Sequence, residues 1–380
     1  MLDNNMSTLG IIFPNTYDKT MSELTSNRSI ASLPFASRYR VIDFMLSNMV
    51  NAGISNVSII VKRNYHSLLD HLGNGREWDL ARKKGGLNIV PPFSRDDVQV
   101  YNGRVQGLTS ILGFLRSQKE EYVVMSDAFY ATTMDIQKLV ETHVSTNAYM
   151  TCVYKRYKLS ANALTIPQEK GDPYYSYELD GDRITGMQIN PKTEDYLNLA
   201  MNITVMKRTD LIQAVSDAYV AGQTHFGRDV IMPKLATERI LGYEVTDYVA
   251  VIDGVKEYFD ENMKLLNEQN ADALFGGNRV HTKIRDDNPT RYTDTAFAKN
   301  VMAADGCVIE GKVENCILFR GVHIKKGAVV RNCVLMQDTV VGEGAVLEYV
   351  ITDKNVTVSP NQDLSGTNIF PALVPKGKTV

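Results

Sequence analysis

Two stretches of the chain carry residues that could act on a phosphate. The first is Asp127, which closes the apolar run Glu121-Tyr122-Val123-Val124-Met125-Ser126. A carboxylate at the carboxyl end of a parallel strand lies where ligands bind, and it could hold Mg²⁺ against a phosphate. It could equally cap the turn that follows. The second is Pro14 to Glu23, which follows the short apolar run Thr8 to Phe13. In an α/β sheet, the loop after the first strand is where backbone N–H groups meet a nucleotide phosphate. Here that loop has no glycine, opens on proline and carries Asp18 near its middle. The place for a phosphate is present and its chemistry is wrong.

Other reactive side chains are less promising. His66 and His71 are five residues apart, whereas a metal pair on a helix prefers three or four, so surface or packing roles are expected. His323 is expected to be structural and solvent-facing. The four cysteines, Cys152, Cys307, Cys316 and Cys333, form no CxxC pair and read as free thiols of a reducing, cytoplasmic protein. With a net charge of −3, the 380-residue chain lacks the basic excess of a nucleic-acid binder. Neither a basic-then-apolar leader nor a run of about 20 apolar residues is seen, so no membrane partner is expected.

The positioning elements follow from periodicity. Val41, Ile42, Met45, Leu46, Met49 and Val50 recur at helical spacing, and Gly53 is a natural stop. Asn56 to Val61 reads as a buried strand, completing a βαβ unit with the first strand. His66 to Leu72 reads as a short helix, and the glycine-rich stretch after it as a mobile loop over the sheet edge. Val105 to Ser117 is an amphipathic helix. Residues 174–179 and 183–189 flank Asp180-Gly181-Asp182 as a hairpin. Val255 to Asn270 reads as one long helix. The fold class expected is α/β, a Rossmann-like domain with a mixed, mostly parallel sheet over 1–275, then a linker over 276–300.

Beyond the linker the pattern changes. Every sixth residue from Cys316 gives Val322, Ala328, Val334, Val340, Val346, Thr352 and Val358. Compact side chains at a period of six predict a left-handed parallel β-helix over 301–380. Gly321, Gly327 and Gly344 are placed to supply its turns. Its flat faces are expected to pack on a partner or on the preceding domain.

Motifs across both domains resemble the bacterial ADP-glucose pyrophosphorylase (glucose-1-phosphate adenylyltransferase) family. Tyr39-Arg40-Val41-Ile42-Asp43-Phe44-Met45-Leu46-Ser47-Asn48 is similar to the family's aromatic-Arg-x-Ile-Asp-Phe-x-Leu-Ser-Asn, and Phe226-Gly227-Arg228-Asp229-Val230-Ile231 to its Phe-Gly-Lys-Asp-Ile-Ile. The departures fall on the chemistry. The family's Gly-Gly-x-Gly-x-Arg-Leu becomes Asn15 to Met21, with Thr20 for the arginine. Two active-site lysines become Ile30 and Asn190, and the acid before Phe-Gly becomes His225. Gly-Thr-Ala-Asp becomes Gly103-Arg104-Val105-Gln106, although Tyr101 and Gly103 still match the nucleotide-binding stretch. The second metal-binding aspartate aligns with Val251, and a two-residue slip would bring in Asp253. Asp127 alone matches a catalytic Mg²⁺ ligand.

By resemblance, then, the catalytic set is not intact. The chain looks like the family's non-catalytic second subunit, a regulatory pseudo-enzyme that pairs with a catalytic ADP-glucose pyrophosphorylase chain in a heterotetramer, with self-association also possible. The resemblance also implies an effector pocket between the two domains, where Arg28 and Arg40 match family arginines. Mg²⁺ is expected only if activity or nucleotide binding remains. The alternatives are a working adenylyltransferase using Asp127 and Asp253, or a stand-alone sugar-phosphate or nucleotide sensor.

Overall fold

The computed structural model describes residues 6–91, 101, 103–159, 173–193 and 195–380. Nine strands form the main sheet: β1 (Thr8–Phe13), β2 (Asn56–Ile60), β3 (Gly86–Val90), β4 (Tyr122–Asp127), β5 (Met150–Tyr157), β6 (Tyr175–Asp180), β7 (Arg183–Ile189), β8 (Leu197–Lys207) and β9 (Ile240–Glu244). Their order is β3-β2-β1-β4-β8-β5-β9-β7-β6. β3, β2, β1 and β4 run parallel, as does β5 with β9. The hairpin β6–β7 and the long β8 add the antiparallel neighbours. All six residues of β1 are buried, as are all six of β4, because helices cover both faces.

Several local expectations are corrected. The stretch after His66–Leu72 is not a loose loop. Trp78 is fully buried in it, and Gly86–Val90 forms the edge strand. The predicted helix over 105–117 is two, Arg104–Ser110 and Leu112–Ser117, broken at Ile111. The long helix after residue 255 likewise divides into Val255–Lys264 and Glu268–Phe275, the second capped by the Asn267 side chain. The segment between the opening loop and the helix from Val41 is packed. Arg28 to Leu33 is buried and holds a single 3₁₀ turn, Ile30–Ser32.

The C-terminal domain is a parallel β-helix, and it starts earlier than residue 301. Arg291–Tyr292 pairs with Val308–Ile309, and Phe297–Ala303 with Lys312–Leu318. The first coil escaped detection because Phe297 to Asn300 face solvent and carry no apolar repeat. The repeat is also shorter than three hexads. Val313 pairs with Val330 and Val330 with Leu347, so a full coil takes seventeen residues. The inward columns include Val313, Val330, Leu347 and Ile324, Val341, Val358, whereas the every-sixth row leaves the coil interior at Val334, which packs against the N-terminal domain, and again at Val346, which is 38% exposed. A row of valines on both sides of a strand hides a one-residue slip.

The corners use residues that tolerate left-handed backbone. Asn300, Asn315 and Asn332 stack with φ of 52°, 51° and 51°, and their amides bond along the column at 2.9 and 3.3 Å. Beyond this corner, Ile317, Val334 and Ile351 point out of the coil into the core of the N-terminal domain, together with Phe319 and Met336. The helix Val255–Lys264 lies across this face. The domains share one apolar core, as expected for a flat β-helix face beside another domain.

Candidate nucleotide site and interdomain cavity

The loop after β1 folds on its own side chains. Tyr17 sits at φ 62°, is 2% exposed, stacks on Tyr174 at 4.9 Å and meets Phe129 edge-on at 4.8 Å. The Asp18 carboxylate accepts from the Ile30 N–H at 2.7 Å and the Asn15 amide at 2.7 Å. It therefore does not simply repel a phosphate from the loop: it joins Asp18–Thr25 to the segment that follows. Asn15 in turn accepts from the Lys62 N–H at 2.9 Å. The Thr20 hydroxyl lies against the carbonyls of Tyr17 (2.7 Å) and Asp253. An aromatic ring and a half-buried carboxylate stand where glycines would leave N–H groups open.

Asp127 lies at the end of β4, fully buried. Arg104 forms an ion pair with its carboxylate, and the Asn202 amide donates to the same oxygen at 2.8 Å. The Arg104 guanidinium also rests 5.2 Å from the centre of the Phe13 ring. Arg104 was legible as a departure, and its role was not. It occupies the first turn of a helix, where the dipole disfavours a cation, and that misfit is the signal for a nearby anion. A fixed positive charge thus meets the one carboxylate suited to Mg²⁺. Among the described residues, no group of three or more His, Cys, Asp or Glu could hold a metal ion. A divalent cation there would compete with the Arg104 guanidinium for the Asp127 carboxylate.

Asp253 has a partner different from those of Asp127. The Tyr174 hydroxyl donates to it at 2.7 Å, and burial pushes its carboxyl up to about 7. In the unfolded chain the same group ionises near 4, about the ordinary aspartate value. Between these values the folded state keeps a proton that the unfolded state has lost, so stability falls as pH rises from about 4 to about 7 and then levels off. Asp253→Asn keeps an acceptor for Tyr174 and removes this penalty. The variant is expected to melt above the parent at pH 8, with a smaller gain at pH 5. An equal gain at both pH values in thermal melts would refute the assignment.

Tyr101 and Gly103, and the positions of the lost motifs, have partners of their own within the chain. Tyr101 donates to the Ile60 carbonyl at 2.8 Å, and Lys62 sits 5.1 Å from its ring centre. Gly103 is required by packing, since an added Cβ would lie 2.1 Å from the Thr224 carbonyl oxygen. Asn190 closes a backbone turn with Tyr174, and Val251 is buried in a strand pairing with Tyr130. The cavity left among Phe13, Lys62, Tyr101, Arg104, Tyr175 and His225 is about 60 Å³. Nucleotide-sized ligands need several hundred.

A larger cavity, about 340 Å³, lies between the domains. Arg38, Arg40, Lys283, Arg285, Arg320 and Lys354 line it, with Asp70 as a counter-charge. Burial beside Arg40 and Arg28 pushes the Lys354 ammonium down to about 7. The Nε of Arg320 is buried and has no hydrogen-bond partner among the described residues. Arg40 donates to the Ser67 carbonyl and hydroxyl at 2.6 and 2.9 Å. Arg28 does not line the cavity. It is 3% exposed and makes a bidentate bond to Asp353 at 2.7 and 2.9 Å. His71 also lines the cavity, and its ring nitrogen lies 2.5 Å from the buried Asp43 carboxylate.

This is the architecture of a nucleotidyltransferase-type domain joined to a hexapeptide β-helix. Family models described as "Nucleotidyl transferase" and "GlmU-like, C-terminal hexapeptide" match residues 17–162 and 283–368. The chain belongs to the family of the glycogen biosynthesis protein GlgD. It is 37% identical to that protein of Bacillus subtilis over 99% of this chain and 97% of the relative. The Geobacillus stearothermophilus counterpart is 35% identical over 98% and 97%. The glucose-1-phosphate adenylyltransferase of Thermosipho melanesiensis is 28% identical over 81% of this chain and 74% of its own. No helix among the described residues is long and apolar enough to cross a membrane.

Proposed function

We propose that this chain is a non-catalytic, regulatory subunit of ADP-glucose pyrophosphorylase in glycogen synthesis, acting on a catalytic partner chain. The observation that carries this reading is the Arg104–Asp127 ion pair, which gives the retained metal-ligand candidate a protein cation. Adenylyl transfer is mostly electrostatic work on the reacting phosphorus and the leaving pyrophosphate. A loop closed by Tyr17 and a cavity of about 60 Å³ offer neither the charge nor the room for that work.

The regulatory half of the reading rests on the interdomain cavity. Six basic side chains face about 340 Å³, and the Arg320 Nε has no hydrogen-bond partner among the described residues, which suits a phosphorylated or other anionic effector. Arg40 and Lys354 are its central residues, and Arg28 is excluded by its bond to Asp353.

The test is co-expression with a catalytic adenylyltransferase chain of the same organism. The two are expected to co-purify, and the complex to differ from the catalytic chain alone in kcat or in its response to effectors. Absence of both a complex and a kinetic difference would reject the proposal.

A further inference from the structure

One wall of the interdomain cavity is a short hairpin in which Pro34-Phe35 pairs antiparallel with Tyr39-Arg40. Pro34, Ser37, Arg38, Tyr39 and Arg40 all line the cavity. At the hairpin tip, Ala36 and Ser37 have φ of 50° and 61°, and the Arg38 N–H turns back onto the Ala36 carbonyl at 2.7 Å. Left-handed backbone drives a Cβ against the following carbonyl, so it suits glycine, or Asn and Asp with their local side-chain bonds. Among the described residues, most non-glycine residues with positive φ are indeed Asn or Asp, and no other two are adjacent. Ala36 has no polar side chain to offset the clash.

The hairpin is held in this form from one side. The Tyr258 hydroxyl donates to the Pro34 carbonyl at 2.8 Å, and the Ala36 N–H donates to Asn262 Oδ1 at 3.0 Å. The Tyr39 ring stacks on Phe275 with centres 5.2 Å apart. All three grips come from the helices Val255–Lys264 and Glu268–Phe275. Asn262 is itself fixed, fully buried with its amide on the Tyr258 carbonyl at 2.8 Å. On the cavity side the hairpin presents charge to charge. Arg38 reaches Asp305 of the β-helix only at 3.9 Å, and Arg320 stands in the same wall of the β-helix. Burial, and then the charge of Arg38, push the Arg320 guanidinium below its usual range. Backbone strain and like-charge crowding therefore both act to open the hairpin, and an anion between the arginines opposes both.

We infer that the hairpin Pro34–Arg40 is a sprung wall of the cavity, which an anion held by Arg38, Arg40 and Arg320 draws into its left-handed form against the helix Val255–Lys264. Ala36, Ser37 and Asn262 are then positioning residues that set the affinity without touching the anion. The inference rests on the anionic-effector reading of the cavity and adds the element that responds to the anion.

The test is calorimetry of the purified full-length chain with inorganic phosphate, well below the melting temperature of every variant. Arg40→Gln should bind phosphate about tenfold more weakly than the parent. Ala36→Gly/Ser37→Gly relieves the strain, so the binding form is populated in advance and affinity should rise about fivefold. Asn262→Ala leaves the Ala36 N–H without its acceptor and should lower affinity about fivefold. Adding the two glycines to Asn262→Ala should bring affinity back toward the parent, which a merely structural role of Asn262 would not do. Hydrogen exchange at the Ala36 N–H should slow with phosphate in the parent and be slow without it in the glycine variant. Phosphate binding that is absent, or indifferent to Arg40→Gln, overturns the cavity reading and this inference with it. Binding that Arg40→Gln weakens but that the glycine variant fails to tighten, or that Asn262→Ala leaves unchanged, overturns the inference alone. So does Ala36 exchange that phosphate does not slow in the parent.

Discussion

Supplied alone with ATP, glucose 1-phosphate and saturating Mg²⁺, the purified chain is expected to form ADP-glucose no faster than background. The losses are on the side of positive charge. Thr20, Ile30 and Asn190 stand where the resembling family carries an arginine and two lysines. Removal of a single group that stabilises developing charge costs about 10²–10³ in rate. Such losses do not add simply, yet together they place turnover at least about 10³-fold below a catalytic relative. Arg104→Thr is expected to leave the chain inactive. It frees Asp127 but restores neither the glycine loop, filled by Tyr17, nor the lysines. The measurement is pyrophosphate release, with Asp127→Ala as the reference. Turnover in the parent that vanishes in Asp127→Ala would establish a working site and sink the non-catalytic reading.

The second large effect is on stability. Arg28 and Asp353 are 3% and 4% exposed and join the 3₁₀ region of the first domain to the β-helix. Arg28→Ala leaves the Asp353 carboxylate buried with the Lys354 N–H at 2.6 Å as a remaining donor. Breaking a buried pair from one side costs about 3–5 kcal/mol, because a buried charge loses its partner. Replacing both, as Arg28→Met with Asp353→Leu, is expected to recover most of that loss, since an apolar pair fits beside Met336 and removes both desolvation penalties. Urea denaturation followed by fluorescence checks both variants. A parent-like midpoint for Arg28→Ala would show that the bridge contributes nothing.

The two arginines differ in role for a reason that lies far away in the chain. Arg28 and Arg40 lie twelve residues apart, and both match positions of the family's effector pocket. Which one faces the cavity depends on Asp353, more than three hundred residues away in the chain. In the β-helix, composition announced repeats of small β-branched residues. The coil of seventeen emerged only from the pairing of strands, because a valine-rich strand looks alike on both sides.

The sequence by itself determined the elements and the losses. Apolar periodicity placed β1, β2, β4 and the helix from Val41, and side-chain identity alone removed the glycines, lysines and arginine of a phosphate site. The opening loop was therefore legible as lacking phosphate chemistry. Only the tertiary structure decided what replaced that chemistry. Tyr17 stacks on Tyr174, Asp18 turns inward to Ile30, and Arg104 reaches Asp127. It also decided that the open, cationic cavity lies between the domains. The physical reason is range. Backbone conformation and burial pattern are local, and a few neighbouring residues encode them. An ion pair, a stacked ring or a cavity depends on groups brought together from distant segments, so no local pattern specifies it.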